Sequence, residues 1–239
     1  MNAQNKLKRK DVAVLLLAGK GERLYDALKV KKQFLEFDGK ALFLYPLTSL
    51  VLSKRFSKIL LVHAEEDRKK VQDCLLKDPI LRKEKFEFII GGKTRNESVR
   101  NALKAIKGKK GNFSVLIHDA ARPFLTVKQV SFIMDKTYRA EALTYCIPLA
   151  DSLFRQDGKG IAYLDRKNLY LVQTPQVFDF DKLVELYQNP DYEDTTDDFS
   201  KAVRAGMKTL PLPGDSSLFK ITGKDDLALL SMLSVLPSD

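Results

Sequence analysis

Apolar positions along this chain alternate between two rhythms. Short continuous runs, Val12–Leu17, Lys58–Val62, Lys85–Ile90, Ser114–His118 and Leu143–Pro148, have the length of strands buried on both faces. Between them, Leu44–Ser53, Asp67–Lys77, Arg95–Lys107 and Val127–Arg139 carry apolar residues at helical spacing, as in Val99, Ala102, Leu103 and Ile106. Thr126 and Gln129 have the spacing of a capping box at the start of the last of these. Strand and helix alternating at this length predict right-handed βαβ units, hence an α/β fold with a mostly parallel sheet. Ligands of such sheets sit beyond the carboxyl ends of the strands, near the reversal in strand order. That rule gathers the Gly19 loop, Gly91-Gly92 and His118-Asp119 at one edge.

From Ala150 the rhythm changes. Asp151–Arg155 and Ile161–Leu164 flank Gln156-Asp157-Gly158-Lys159-Gly160, in which Asp-Gly is a hairpin signal. The segment is too poor in apolar residues for a core of its own and reads as a projecting β-arm, about 149–173. Beyond it, Phe178–Gln188 and Asp197–Ala205 read as helices, Gly206 as a C-terminal cap and Lys208–Leu212 as a strand. Lys224–Leu236 completes the series as an amphipathic helix, with Thr222 and Asp225 resembling a capping box.

Composition narrows the class. At 239 residues, 44% of them apolar and 30% charged, the chain is globular and long enough for a sizeable core. Residues 1–10, MNAQNKLKRK, read as a basic tail without a signal peptide's apolar stretch, leaving 11–239 as one domain. No apolar run approaches the ~20 residues of a membrane span, so no membrane partner is expected. Cys74 and Cys146 lie in apolar segments and read as buried thiols of a reducing cytoplasm. The net charge of +10 favours anionic partners. Much of it sits in the tail and in the loop-like Lys107-Gly108-Lys109-Lys110, and no basic helix interleaved with aromatics appears. A nucleic-acid module is therefore the weaker reading of that charge.

The candidate chemistry begins at Val12–Leu35. A buried strand feeds Ala18-Gly19-Lys20-Gly21, and Arg23 and a lysine cluster ending at Lys32 follow. Glycines let a backbone approach a polyphosphate, while Arg and Lys neutralise its charge. The stretch fails the dinucleotide fingerprint, because Leu24 stands where a third small residue is needed, and it lacks the P-loop spacing. An NAD-type dehydrogenase is disfavoured on that ground. By itself the stretch reads equally as a turn with a solvated basic loop.

Two further segments add to it. Gly91-Gly92-Lys93-Thr94-Arg95 follows a strand and opens a helix, where free amides suit an anion or the polar edge of a base, or make an ordinary turn. His118-Asp119-Ala120-Ala121-Arg122-Pro123 places an acid at the end of a buried strand. There it could hold Mg²⁺, which favours carboxylate with phosphate oxygens, or be clamped by Arg122. His63 and His118 lack metal-ligand spacing and read as core histidines. Thr196 reads most simply as a helix N-cap, whereas Lys220 ends a strand at the ligand edge.

Taken together, the segments LAGKGERL, KKQFL, GGKTRNESV, HDAARP, the Asp165–Leu169 DRKNL, QTPQ at Gln173–Gln176, TDD and the KIT of Lys220–Thr222 resemble the 2-C-methyl-D-erythritol 4-phosphate cytidylyltransferases. HDAARP and QTPQ in this order are specific, and the resemblance runs from about Val12 to Leu230. It implies a Rossmann-like sheet with helices on both faces, of the nucleotide-diphospho-sugar transferase type, a dimerising arm, CTP as co-substrate and Mg²⁺. A ribitol-5-phosphate cytidylyltransferase family shares most of these motifs and is the alternative.

By position, the resemblance assigns charge stabilisation in catalysis to Arg23 and Lys32, with Arg166 and Lys220 orienting the attacking phosphate. It assigns CTP contacts to Ala18, Gly19, Gly21, Gly92, Lys93, Ser98 and Ala120, and the metal to Asp119. Methylerythritol phosphate falls to Ser152, Arg166, Thr174, Thr196 and Lys220, the arm residues reaching over from a partner subunit of a homodimer. The chain departs from the family pattern at several places. Lys31 replaces the proline of a PKQ motif, behind a loop about two residues longer. Glu22 stands where a second cation is frequent, and Lys93 where an acid is common. Ser152 replaces threonine, and Leu218 falls where Asn is frequent.

Overall fold

The computed structural model describes residues 11–19, 21, 29–106, 112–158, 160–192 and 195–233. The basic tail, Arg23 with most of its loop, the Lys107–Lys110 run and residues 234–236 of the expected final helix lie outside the described residues.

A seven-stranded sheet forms the frame. β1 (Val12–Leu16) is flanked in parallel by β4 (Lys58–His63) and β6 (Ser114–Asp119), and β5 (Glu87–Ile90) extends the sheet beyond β4. The chain runs outward from β1 to β5 and returns to the other side of β1 as β6. That reversal puts the switch point at the carboxyl ends of β1 and its neighbours. β7 (Ala142–Pro148) and β11 (Thr209–Pro213) pair in parallel, and only β10 (Tyr170–Asp179) runs antiparallel, between β6 and β7.

Side chains of β1 alternate between two cores, as the period of two requires. Ala13 and Leu15 pack with helices α1 (Leu44–Leu52), α2 (Arg68–Lys77) and α4 (Val127–Met134). Val12 and Val14 pack on the other face with α3 (Arg95–Ile106), α5 (Phe180–Gln188) and α6 (Asp198–Arg204). The result is the mostly parallel sheet that the pattern predicts, with the Rossmann-like arrangement of helices on both faces that the resemblance implies. A third, small cluster of Leu42, Ile221 and Leu230 docks α7 (Lys224–Leu233).

Capping chemistry refines several boundaries. The Thr126–Gln129 box is present and starts α4, which stops at Met134 rather than Arg139. The α7 turn departs in detail from its expectation: Asp226, not Asp225, accepts from the Thr222 and Gly223 amides. Asp197, not Thr196, caps α6 by accepting from Ser200 N, and Thr196 is exposed. Phe178 belongs to β10 and is fully buried; α5 begins two residues later, capped by Asp179. An unforeseen hairpin joins β2 (Glu36–Phe37) to β3 (Lys40–Ala41) through Asp38-Gly39, both at positive φ as a type I′ turn demands.

The arm is a separate two-stranded ribbon of β8 (Leu153–Asp157) and β9 (Gly160–Leu164), carried on the ends of β7 and β10. Phe154, Ile161 and Tyr163 on it are 51%, 62% and 77% exposed, so this chain alone does not cover its apolar surface.

Candidate active site

Three backbone hydrogen bonds stitch the strand ends into a floor. Leu17 N donates to Val62 O (2.7 Å), Ala120 N to Leu16 O (3.1 Å) and Gly91 N to His63 O (2.8 Å). Above this floor opens a cleft of about 930 Å³, lined on one wall by Ala18, Gly19, Gly21 and Lys32. Gly92, Lys93, Arg95 and Ser98 form the second wall, and Asp119, Ala120, Lys220 and Thr222 the third. Of the residues assigned by position, the cleft therefore gathers Ala18, Gly19, Gly21, Lys32, Gly92, Lys93, Ser98, Asp119, Ala120 and Lys220.

Packing or backbone conformation excludes a side chain at several cleft glycines: a Cβ on Gly92 would lie 2.1 Å from the Glu97 Cβ. A Cβ on Gly91 would lie 2.4 Å from the Ala18 Cβ, so the second wall can close on the first only without a side chain there. Gly21 has φ +62, and its left-handed backbone lies where a Cβ would press on Lys32 Cγ and Cδ at 3.3 Å. The Lys32 stem runs along this bare backbone.

The start of α3 differs from the expected row of free amides. Gly92 N donates to Ser98 Oγ (3.1 Å) and Lys93 N to Glu97 Oε2 (2.6 Å), while Thr94 Oγ1 accepts from Glu97 N (3.1 Å). Ser98 and Glu97 thus hold the loop in shape, and Ser98 Oγ itself donates to Thr94 O (3.0 Å).

Asp119 is the electrostatic centre. Its Oδ2 lies 2.7 Å from Lys220 Nζ and its Oδ1 3.3 Å from Arg95 Nε. Burial pushes the carboxyl up, but the Arg95 guanidinium and the Lys220 ammonium outweigh it and hold Asp119 well below the usual carboxylate range. Arg95 in turn has Nη1 2.7 Å from Oδ2 of the fully buried Asp198, without the alignment of a hydrogen bond. Tyr187 donates its hydroxyl to the other Asp198 oxygen. A chain of alternating charge, Lys220–Asp119–Arg95–Asp198, thus runs from the cleft into the protein. Burial would lower the Arg95 pKa, yet the two aspartates raise it, and the guanidinium stays charged.

Arg122 adds its charge to those that lower the Asp119 pKa, but its hydrogen bonds go elsewhere. Its Nη1 donates to Leu218 O (2.5 Å) and its Nη2 to Val172 O (3.5 Å), tying the end of β6 to a distant turn and to β10. Ile221 N donates to Ala121 O (2.8 Å), which delivers Lys220 to the cleft. Leu218 turns its side chain into the core.

His118 is the core histidine its spacing suggests. Nε2 donates to Arg122 O (3.0 Å), so in the neutral ring Nδ1 accepts from Thr174 Oγ1 (3.1 Å). Burial is the main reason its pKa is lowered to about 4. Thr174 Oγ1 also accepts from Asp119 N (3.1 Å), so Thr174 lies buried under the site as a brace rather than lining it. Thr196, Ser152 and Arg166 do not line the cleft of their own chain either. Arg166 donates to Ala150 O at the base of the arm.

The residue that sequence reading passes over is Arg95. Its signal was a cation at the first helical position after the glycine pair; its two carboxylate partners come from distant segments and carry no local pattern. Among the described residues, no cluster of three acidic, histidine or cysteine side chains could hold a metal by itself.

Comparison with known proteins agrees with this geometry. The sequence model of IspD, 2-C-methyl-D-erythritol 4-phosphate cytidylyltransferase, matches residues 12–233. A protein of that name from Thermotoga neapolitana is 39% identical over 224 residues, covering 94% of this chain and 96% of the relative. One from Syntrophus aciditrophicus is 34% identical over 227 residues, covering 93% and 95%. A crystal structure of the Thermus thermophilus protein of the same name superimposes with a TM-score of 0.71 at 25% identity, covering 93% of this chain and 98% of that one. With a sequence model matched along nearly its whole length, and a cleft assembled from the motifs that carry the match, the chain belongs to the 2-C-methyl-D-erythritol 4-phosphate cytidylyltransferase family.

Proposed function

We propose that the cleft transfers CMP from CTP to 2-C-methyl-D-erythritol 4-phosphate, giving 4-diphosphocytidyl-2-C-methyl-D-erythritol and pyrophosphate. The observation that carries the residue roles is Asp119 held between Lys220 and Arg95 at the switch point, in the same cleft as Lys32. An acceptor phosphate oxygen attacks the α-phosphorus, the bond to the bridging oxygen of the β-phosphate breaks, and pyrophosphate leaves with that electron pair. The nucleophile is already anionic, so the reaction needs no strong general base. The work left to the protein is to position two anions and offset the charge that builds up between them.

Lys32 supplies cationic charge from the glycine wall, joined in the family pattern by Arg23. Gly92, Lys93 and Ser98, with the Ala18, Gly19, Gly21 and Ala120 backbone, receive the nucleoside. Lys220 orients the attacking phosphate, together with Arg166. Asp119 fits a magnesium ion: such ions take one or two carboxylates and complete their shell with phosphate oxygens and water, so no protein cage is needed. When bound, the ion neutralises phosphate charge.

Of the remaining acceptor residues, Thr174 and Thr196 complete the pocket, whereas Ser152 and Arg166 come from the arm of a second copy in a homodimer. Thr174 shapes the pocket from beneath. The exposed Phe154, Ile161 and Tyr163 support that reading, because a second copy would cover them. No described helix is long and apolar enough to cross a membrane, and both cysteines are free and half-buried rather than fully buried. Free thiols suit the cytoplasm, where we place the enzyme.

The test is pyrophosphate release with CTP, ATP, GTP and UTP against methylerythritol phosphate and ribitol 5-phosphate. Release with CTP and methylerythritol phosphate, dependent on Mg²⁺, is expected. Release with ribitol 5-phosphate alone would assign the sibling reaction instead.

A further inference from the structure

We propose that Lys31 is a positioning residue whose ion pairs to Asp67 and Glu66 hold the backbone as a proline ring would, and so aim Lys32 into the cleft. The inference rests on the role given to Lys32 above.

Lys31 has φ −66, the value at which a proline ring would lock it, with an extended ψ of 135. No ring is present to impose it. Lys31 Nζ instead lies 2.7 Å from Glu66 Oε1 and 2.7 Å from Asp67 Oδ2. The Lys31 and Asp67 side chains are 16% and 10% exposed, so this pair is shielded as a solvated surface pair is not. Burial alone would lower the Lys31 pKa; the hydrogen bonds to the two carboxylates more than reverse that and raise it.

Three consecutive side chains then go to three different anchors. Lys31 reaches the turn at Glu65–Asp67 that precedes α2, of which Glu65 and Glu66 line the cleft. Lys32 lines the cleft. Gln33 is buried and donates to Leu17 O (2.7 Å) at the end of β1. The short turn between them closes through Phe34 N to Lys31 O (2.9 Å) and Leu35 N to Lys32 O (3.2 Å). Lys32 is therefore gripped from both neighbours. Gln33 fixes one side in a buried bond, and the Lys31 latch fixes the other from the Glu65–Asp67 turn.

The alternative chemistry for Lys31 is a direct one, its charge attracting the triphosphate. Three variants separate the two: Lys31→Ala, Lys31→Pro, and the double change Glu66→Gln with Asp67→Asn. If Lys31 positions, Lys31→Ala lowers kcat by about tenfold to 100-fold, up to the cost of a group misplaced by about 1 Å, with KM for CTP changed by no more than about threefold. The Glu66→Gln/Asp67→Asn protein, which keeps the lysine and breaks the latch, loses kcat in the same way. Lys31→Pro returns kcat to within about threefold of the parent, since the ring restores φ. If Lys31 acts by its charge, the double variant keeps its kcat and Lys31→Pro is as poor as Lys31→Ala; either result overturns the proposal.

Amide hydrogen exchange supplies a readout independent of turnover. Exchange at Phe34 and Leu35 should quicken in Lys31→Ala and in the double variant, and slow again in Lys31→Pro. Unchanged exchange at both amides in Lys31→Ala also overturns the latch. A parent protein that releases no pyrophosphate from CTP with either acceptor would instead sink the reading of the cleft, with the latch still judged by exchange.

Discussion

Lys220 Nζ lies 2.7 Å from Asp119 Oδ2, joining the last loop before α7 to the end of β6. The pair puts a cation beside the position where a carboxylate can face phosphate, and the Ile221–Ala121 backbone bond keeps it there. Lys220→Met should lower kcat by about 100-fold, the cost of removing one preorganised charge-stabilising donor. KM for CTP should change far less if Lys220 orients the attacking phosphate, as proposed. A proportionate rise in KM with kcat intact would mark Lys220 as a ground-state binder instead.

Arg95 is expected to act on stability as much as on activity. Arg95→Met would leave Asp198, which is fully buried, without its counter-charge and Asp119 with one cation fewer. Breaking a buried pair from one side costs about 3–5 kcal/mol. Urea unfolding of Arg95→Met, Asp198→Leu and the double variant would measure it. The double variant should be more stable than the sum of the singles, and strict additivity would show that the two groups do not interact.

The lengths and faces of β1, β4, β6 and the helices between them were legible, because a strand buried on both sides has to be apolar throughout and a covering helix cannot be. β10 was not legible. Its middle is Gln173-Thr174-Pro175-Gln176, polar and interrupted by a proline, which ordinarily argues against a central strand. The structure accommodates it with a register shift between Val172 and Gln176 and by partnering each buried polar group. Gln173 exchanges bonds with Asp215, Thr174 accepts from Asp119 N, and Gln176 Oε1 accepts from Phe199 N. For the site, the glycine walls and Asp119 were readable as local patterns. The Arg95–Asp198 pair was not, because it depends on two helix starts meeting under the sheet edge. The Lys31 latch was equally hidden: the sequence showed a missing proline, but not the carboxylates that stand in for the ring.

His118 gives the fold a pH dependence of defined sign. Its folded pKa is lowered to about 4 against an ordinary 6.5, mainly by burial, so the folded state binds fewer protons than the unfolded one between those values. The stabilisation is complete above about pH 6.5 and is lost as pH falls toward 4, by an amount on the order of 3 kcal/mol. Urea unfolding from pH 7 to 5, above the range in which carboxylates titrate, isolates it. His118→Gln can still donate to Arg122 O and accept from Thr174, and it should flatten the profile in that interval. A parent profile already flat there would remove His118 as its source.

The arm makes the last prediction. Phe154, Ile161 and Tyr163 stand exposed on the ribbon, and Arg166 at its base lies outside the cleft of its own chain. If a second copy covers the ribbon, sedimentation should show a dimer, and Ile161→Asp with Tyr163→Asp should dissociate it with loss of acceptor use. Arg166 then serves the partner's cleft, whereas Lys32 serves its own. Mixing inactive Lys32→Ala with inactive Arg166→Ala under subunit exchange places both intact residues in one cleft of each mixed dimer. Random exchange makes half the dimers mixed, so roughly a quarter of the parent activity should return. An arm that served its own cleft would leave both clefts of every mixed dimer impaired, and no activity would return at any mixing ratio.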